Sequence, residues 1–318
     1  MSIDRSQRGL ALISALLIVS LAGVLGAARM FALQLETQAS KALIGSAQAR
    51  LLALGIEDLA AEILAEDALS SDTDHYGEPW SRGLGDMNAG PMRIQGTMED
   101  MQGRFNLNNL VTPQGTPDMI AVDQFRRLLR VLQLDETLAY RALDWMDADN
   151  LPQPSVGAED EAYTRLAPPY QAPNRPMEDV SELMAVEGVD AETWRALSPH
   201  ITALPVTGAP IAVNVNTATV EVLQSLAEYP DPARTQRWRE RQLSGGMTDL
   251  GEVQSALPSQ MAGRVSLSSN WFALRLAVNA DGTRFYLTSL LDRSRGQVRA
   301  RWRRQGLPPE AWLAPVES

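Results

Sequence analysis

The sequence predicts an α+β fold in which one long N-terminal helix packs on a small antiparallel sheet, with a large all-helical domain inserted between the strands. Three observations predict it. Leu10 to Ala28 run without a charge, and the helical apolar period then continues without proline past residue 60. Strand-like alternation occurs only near residue 100 and again near residue 290. Between those two places the apolar spacing is helical, broken by loops rich in proline and glycine.

The apolar run of about 19 residues covers roughly 28 Å as a helix, close to one bilayer core. Residues 70–91 are rich in Gly, Pro, Asp and Ser and read as a loop. Arg93 to Met98 and Gly103 to Asn108 read as one or two short strands, with a turn near Glu99-Asp100. Helical spacing follows at Asp118 to Leu134 and Glu136 to Asp147. Further helices are expected at Asp179–Val186, Ala191–Leu197, Thr217–Ala227, Pro232–Leu243 and Asp249–Leu257, with Asn216-Thr217 as an N-cap. Strands return at Trp271 to Val278 and Arg284 to Leu291, joined through an Asp281-Gly282 hairpin signal, and at Gln297 to Trp302. Strands this few form one sheet rather than two, and the sheet and the exported half of the long helix give each other a buried face.

Three readings compete for the N-terminus. A secretory signal peptide has an apolar region of about 7–15 residues and a small-x-small cleavage site; Ala22-Gly23 or Ala27-Ala28 could pass for one. A plain membrane anchor is the second. The third is a leader cut after Gly9 that leaves the apolar helix on the mature protein, the type IV prepilin arrangement. Arg5 and Arg8, against the single acid Asp4, keep the N-terminus inside and place the remainder outside the inner membrane.

The composition narrows the function. No cysteine is present, which removes disulfides, thiolate metal sites and thiol nucleophiles, and the two histidines, His75 and His200, are far apart. A net charge of −11 argues against general nucleic-acid binding. No Walker loop, G-x-S-x-G elbow or HExxH occurs. Val180 to Glu192 and Asn214 to Leu223 are similar to helix-hairpin-helix or SAM-like units, but acidic residues stand where a phosphate clamp needs basic ones. They read as packing modules. The arginines from Arg293 to Arg304 read as a charged edge strand, with an acidic partner face as the alternative.

The strongest site candidate is the acidic cluster Asp144, Asp147, Asp149, followed by Glu159-Asp160-Glu161. Asp144 and Asp147 share a helix face, and the chain leaves that helix into a loop that returns at Glu159. Calcium takes about six to eight oxygen ligands, which such a helix-end loop can supply. The order is not that of an EF-hand. A solvated acidic face and paired carboxylates for acid–base chemistry are the competing readings.

Across nearly the whole chain, these residues in this order resemble the minor pseudopilin K family of type II secretion systems (general secretion pathway protein K). The resemblance rests on Gln7 to Ile13, Gly103 to Asn108, Asp144 to Asp149, Gly157 to Asp160, Asn174-Arg175-Pro176, Asp179 to Leu183, Ala203-Leu204-Pro205 and Asn214 to Ala218. It implies a pseudopilin fold with an inserted helical domain and no enzymatic activity. It also implies cleavage between Gly9 and Leu10 by the prepilin peptidase, with methylation of the new N-terminus. The expected division is a leader at 1–9, a transmembrane part at 10–30, a first core part at 31–117, the helical domain at 118–268, a β-meander at 269–305 and a tail at 306–318.

The implied partners are minor pseudopilins I and J, an inner-membrane assembly platform and secreted proteins, with no nucleic acid. The implied role is to initiate or cap a periplasmic pseudopilus. Family members bind calcium in the helical domain, and that role is carried here onto Asp147, Asp149, Glu159 and Asp160. Ser14 stands at the fifth mature position, where major pseudopilins carry a Glu that pairs with a neighbour's amine. A subunit with no predecessor above it needs no such Glu. Leu10 departs from the usual Phe or Met, and the cysteine pair of some relatives is absent. A tip subunit of a type IV pilus or competence system, binding DNA or a surface, is the alternative.

Overall fold

The computed structural model describes residues 5–83, 85–90, 92–153, 156–280, 282–294 and 296–306, and side chains from residue 13 onward except that of Asp86. Residues 1–4 of the expected leader, Asp281 of the hairpin, Arg295 of the arginine run and the tail beyond Gly306 lie outside the described residues.

Helix α1 (Arg5–Ser70) is a single helix, as the unbroken apolar period requires. Its stretch from Ile13 is, among the described residues, the one helix long and apolar enough to cross a membrane, and the apolar window is wholly exposed. Past residue 45 it acquires a buried stripe, Ala49, Ala53, Ile56, Ala60 and Leu64, at helical spacing. The alanines let the helix lie close on a five-stranded antiparallel sheet, ordered β1 (Gly85–Ala89), β2 (Met92–Asp100), β7 (Trp271–Ala280), β8 (Thr283–Asp292) and β9 (Arg299–Gln305). Phe272, Leu274, Leu276 and Val278 alternate toward α1, with Trp80 edge-on to Phe272 at 5.2 Å. Trp271 and Leu290 belong instead to a small cluster with Leu204 of the helical domain.

The helical domain builds a separate core around α2 (Met119–Val131), where Val122, Phe125, Leu128 and Leu129 are buried and Phe125 stacks on Phe105 at 5.2 Å. The other helices are α3 (Leu138–Asp144), α4 (Asp160–Tyr163), α5 (Ala191–Leu197), α6 (Val220–Ser225), α7 (Pro232–Leu243) and α8 (Leu250–Ser255). Asp118 caps α2, accepting from Ile120 N and Ala121 N at 3.1 and 3.2 Å, and pairs with Arg264 at 2.8 Å. Asp118→Ala is expected to cost about 1–2 kcal/mol of helical-domain stability, read from a denaturant midpoint.

The structure corrects several local expectations. Gly103 to Asn108 does not join the main sheet; β3 (Phe105–Asn106) pairs in parallel with β4 (Ile201–Thr202), and β5 (Val213–Asn214) with β6 (Val265–Ser266). Glu99-Asp100 is the end of β2 rather than a turn, and β1 lies inside the segment read as loop. Asp179–Val186 is a 3-10 turn, Val180–Ala185. The cap of α6 is Thr219, not Asn216-Thr217, because those two side chains are engaged elsewhere: Asn216 exchanges hydrogen bonds with Met247, and Thr217 donates to Asp100 at 2.6 Å.

The apolar packing also divides earlier than 117/118, since Phe105, Leu107, Leu110 and Val111 belong to the helical core. The reason is a set of buried asparagines that staple distant loops by pairing with their backbones. Asn108 receives Met177 N and donates to Met177 O and Leu204 O at 2.8–2.9 Å, while Asn106 receives Leu204 N at 2.9 Å. Gly103 meets a different segment of the helical domain: a Cβ there would lie 2.6 Å from Thr217 O.

Two exposed arginines of the C-terminal run also pair with acids of other elements. Arg303 pairs with Glu57, a buried residue of α1, at 2.6 Å, and Arg304 with Asp179 at 2.6 Å. β9 is the sheet edge, as expected, yet these side chains tie it to α1 and to the helical domain.

Candidate metal centre

The α3 helix ends at Asp144, and the turn beyond it carries Trp145, Met146 and Asp147 into the interior. The loop then runs outward past Asp149 and returns at Glu159, immediately before α4. Asp147 is fully buried and Glu159 is 6% exposed, while Asp149 faces solvent. One carboxylate oxygen from each of the three lies within 4.8 Å of the others.

The roles of the neighbouring groups are distinct. Asp144 is buried and accepts from Gln153 N at 3.1 Å, which holds the loop against the helix end. Asp160, expected beside the others, is not in the three-carboxylate group. Its oxygens accept from Ala172 N and Gln171 Nε2 at 3.0 and 3.1 Å and so clamp the following segment. Gly9 and Leu10, the expected processing residues, lie on the backbone of α1.

Both oxygens of Asp147 and both of Glu159 are buried without a hydrogen-bond partner. Buried carboxylates are normally paired, hydrogen-bonded, protonated or bound to metal. Here burial pushes the Asp147 and Glu159 carboxyls up to about 7, assisted by the mutual repulsion of the acids around them. Burial likewise raises Asp144 to about 6, against the backbone hydrogen bonds it accepts. The wall is aromatic: Trp145 sits edge-on to Tyr163 at 5.1 Å, and Tyr163 stacks on Tyr170 at 5.3 Å.

Asn174 is a member of the site that carboxylate spacing could not reveal. It adopts a left-handed backbone (φ 46°), and its Nδ2 donates to Asp149 O at 3.0 Å. Its Oδ1 is buried without a partner, an additional oxygen beside the loop. The donor set is therefore all oxygen, the chemistry of calcium rather than of zinc. The orphaned atoms fit a hard divalent cation at Asp147, Asp149 and Glu159.

Gly157 sets the return of the loop. A Cβ at this position would collide with the Asp144 carboxylate and with Gln153 N. Gly157→Ala is expected to open the loop and weaken calcium binding by about tenfold or more, as outer-shell changes commonly do, measured by calorimetric titration.

The family described as "Type II secretion system (T2SS), protein K" matches residues 103–206. Type II secretion system protein K of Pseudomonas aeruginosa is 36% identical over 322 residues, spanning 95% of this chain and 94% of that protein. Its counterpart in Aeromonas hydrophila is 30% identical, spanning 92% and 94%. These relatives are named as secretion components, not enzymes. Among solved structures, a chain of the GspK-GspI-GspJ complex from the enterotoxigenic Escherichia coli type 2 secretion system aligns with a TM-score of 0.73. That alignment has 26% identity and covers 82% of this chain and 96% of that one.

Proposed function

The chain belongs to the type II secretion system protein K family, and from that membership we propose that it is a minor pseudopilin acting at the tip of the periplasmic pseudopilus. The observation that carries the reading is the alignment with 96% of a chain of a GspK-GspI-GspJ complex. On it, minor pseudopilins I and J are the immediate partners, contacting the α1 helix and the sheet. The prepilin peptidase cuts between Gly9 and Leu10, and the apolar part of α1 holds the mature protein in the inner membrane with its body in the periplasm. The assembly platform receives it there, and secreted proteins pass the finished filament.

The helical domain, about half of the chain, is too bulky for another subunit to stack above it. That supports one copy at the filament end, as does Ser14 in place of the pairing Glu. Calcium at Asp147, Asp149 and Glu159 holds the loop between α3 and α4 closed, with Asn174 beside it and Asp144 and Asp160 as loop anchors. The residues themselves do no chemistry; they gather charge that only a cation makes stable.

Mass spectrometry of the membrane-extracted protein tests the processing, with a mature start at Leu10 expected and a start near Ala28 overturning it. Co-expression with I and J tests the assembly. A stable ternary complex is expected, with gold label confined to filament ends; label along the filament length removes the tip role.

A further inference from the structure

A second group of carboxylates lies at the joint between α1, the sheet and the helical domain. Asp67 is in the last turn of α1, Asp74 in the loop that follows, and Glu78 directly before the turn carrying Trp80. They are 7%, 1% and 7% exposed, and one oxygen of each lies within 4.8 Å of the others.

The positive charge facing them is too small. Arg293 pairs with Asp67 at 3.1 Å and with Asp74 at 2.5 Å through one guanidinium. Glu78 accepts from two neutral donors, His75 N at 3.0 Å and Trp80 Nε1 at 2.7 Å, while His75 Nε2 stands 3.8 Å from it. Asp74 Oδ2 also accepts from Ser269 N at 2.6 Å. Asp74 Oδ1 is buried and has no partner. Three buried acids thus share one arginine, and among the described residues no second Arg or Lys pairs with them. Buried charge left in this condition is tolerated only when a proton or a cation joins it.

We infer that Asp67, Asp74 and Glu78 form a second site for a hard divalent cation, Ca2+ or Mg2+, separate from the Asp147 centre. The donors are all carboxylate oxygens, with water completing the shell as such ions require. The position gives the ion a structural task. Asp74 N donates to Leu267 O at 2.8 Å, and Asp74 O accepts from Asn214 Nδ2 at 3.0 Å. The loop holding the site is therefore laced to the segment by which the helical domain returns to β7. A bound cation ties that return segment to the end of α1 and fixes how the helical domain sits on its stem.

The test uses full-length protein in detergent, stripped with EDTA and titrated by equilibrium dialysis with Ca2+ and, separately, Mg2+. The double variant Asp147→Asn/Glu159→Gln should keep a residual cation, which is lost when Asp74→Asn or Glu78→Gln is added. Glu78→Gln keeps an acceptor for His75 N and Trp80 Nε1, so it guards against misfolding, checked by circular dichroism. Terbium gives an independent readout. Indole excitation should sensitise terbium in the residual site, and Trp80→Phe should abolish that emission. The site is overturned if the double variant binds neither ion, or if folded Glu78→Gln leaves the residual stoichiometry unchanged. Full binding by the double variant, lost with Glu78→Gln, would keep this site and remove the Asp147 one.

Discussion

Chelating calcium is expected to lower the melting temperature of the helical domain by about 5–10 °C at pH 8, and by much less at pH 5. The size follows from about 2.7 kcal/mol of linkage at calcium 100-fold above Kd, with about 2–4 °C per kcal/mol in a domain of this size. The pH dependence follows from Asp147 and Glu159, whose carboxyls are raised to about 7 in the folded protein. A carboxyl raised on folding stabilises the protein at pH below its unfolded value, near 4, and that contribution disappears as pH rises through 7. The chelated protein should therefore melt higher at pH 5 than at pH 8. Calcium needs the ionised carboxylates, so its stabilisation is full above pH 7 and fades as protons compete below it. Scans with calcium or EGTA at the two pH values decide the matter. An equal calcium shift at both would exclude these carboxylates as ligands.

Asp100→Ala should produce the second large effect, a loss of about 3–5 kcal/mol together with separation of the two cores into independent melting units. Asp100 is 2% exposed at the end of β2. Its carboxylate accepts from Gln102 N, Asn214 Nδ2, Thr217 Oγ1 and Ser269 Oγ at 2.6–2.9 Å. Asn214 and Thr217 belong to the helical domain, and Ser269 to the segment that leads out of it. Alanine removes the acceptor that four donors share at the place where the two bodies meet, and Asn214 Nδ2 alone keeps a strong second one in Asp74 O at 3.0 Å. Calorimetry should show one transition in the unmutated protein and two in the variant. A single transition with an unchanged midpoint would mean the network does not couple the domains.

The parts of this fold that local chemistry dictates were readable in the chain. The α1 helix, the β7–β8 hairpin at Gly282 and the amphipathic α2 each carry their own periodicity or turn residue. The acidic loop was equally visible, because carboxylates three apart at a helix end share a face whatever surrounds them. The β1 strand was not, since an edge strand of Gly-Asp-Met-Asn-Ala has no alternation to find. Nor were the asparagine staples: Asn108 and Leu204 are far apart in sequence, and nothing local to either signals the other.

The same distinction separates the site residues. Asp147, Asp149 and Glu159 look alike to Asp160 in sequence, yet Asp160 uses its oxygens on Gln171 and Ala172. Asn174 enters the site from a segment with no acidic signature. The joint acids Asp67, Asp74 and Glu78 gave no signal, because scattered acids at a helix end and in the polar loop after it resemble any solvated surface.

The sequence by itself thus determined the long apolar N-terminal helix, the insertion of a helical domain between strands and the address of the acidic loop. Those are properties of neighbouring residues, set by period, charge and turn chemistry. Tertiary structure alone decided which carboxylates lose their water, which asparagines hold the loops, and which distant acids Arg293 and Arg303 reach. Desolvation depends on what packs over a group, and the residues that cover these groups come from distant parts of the chain.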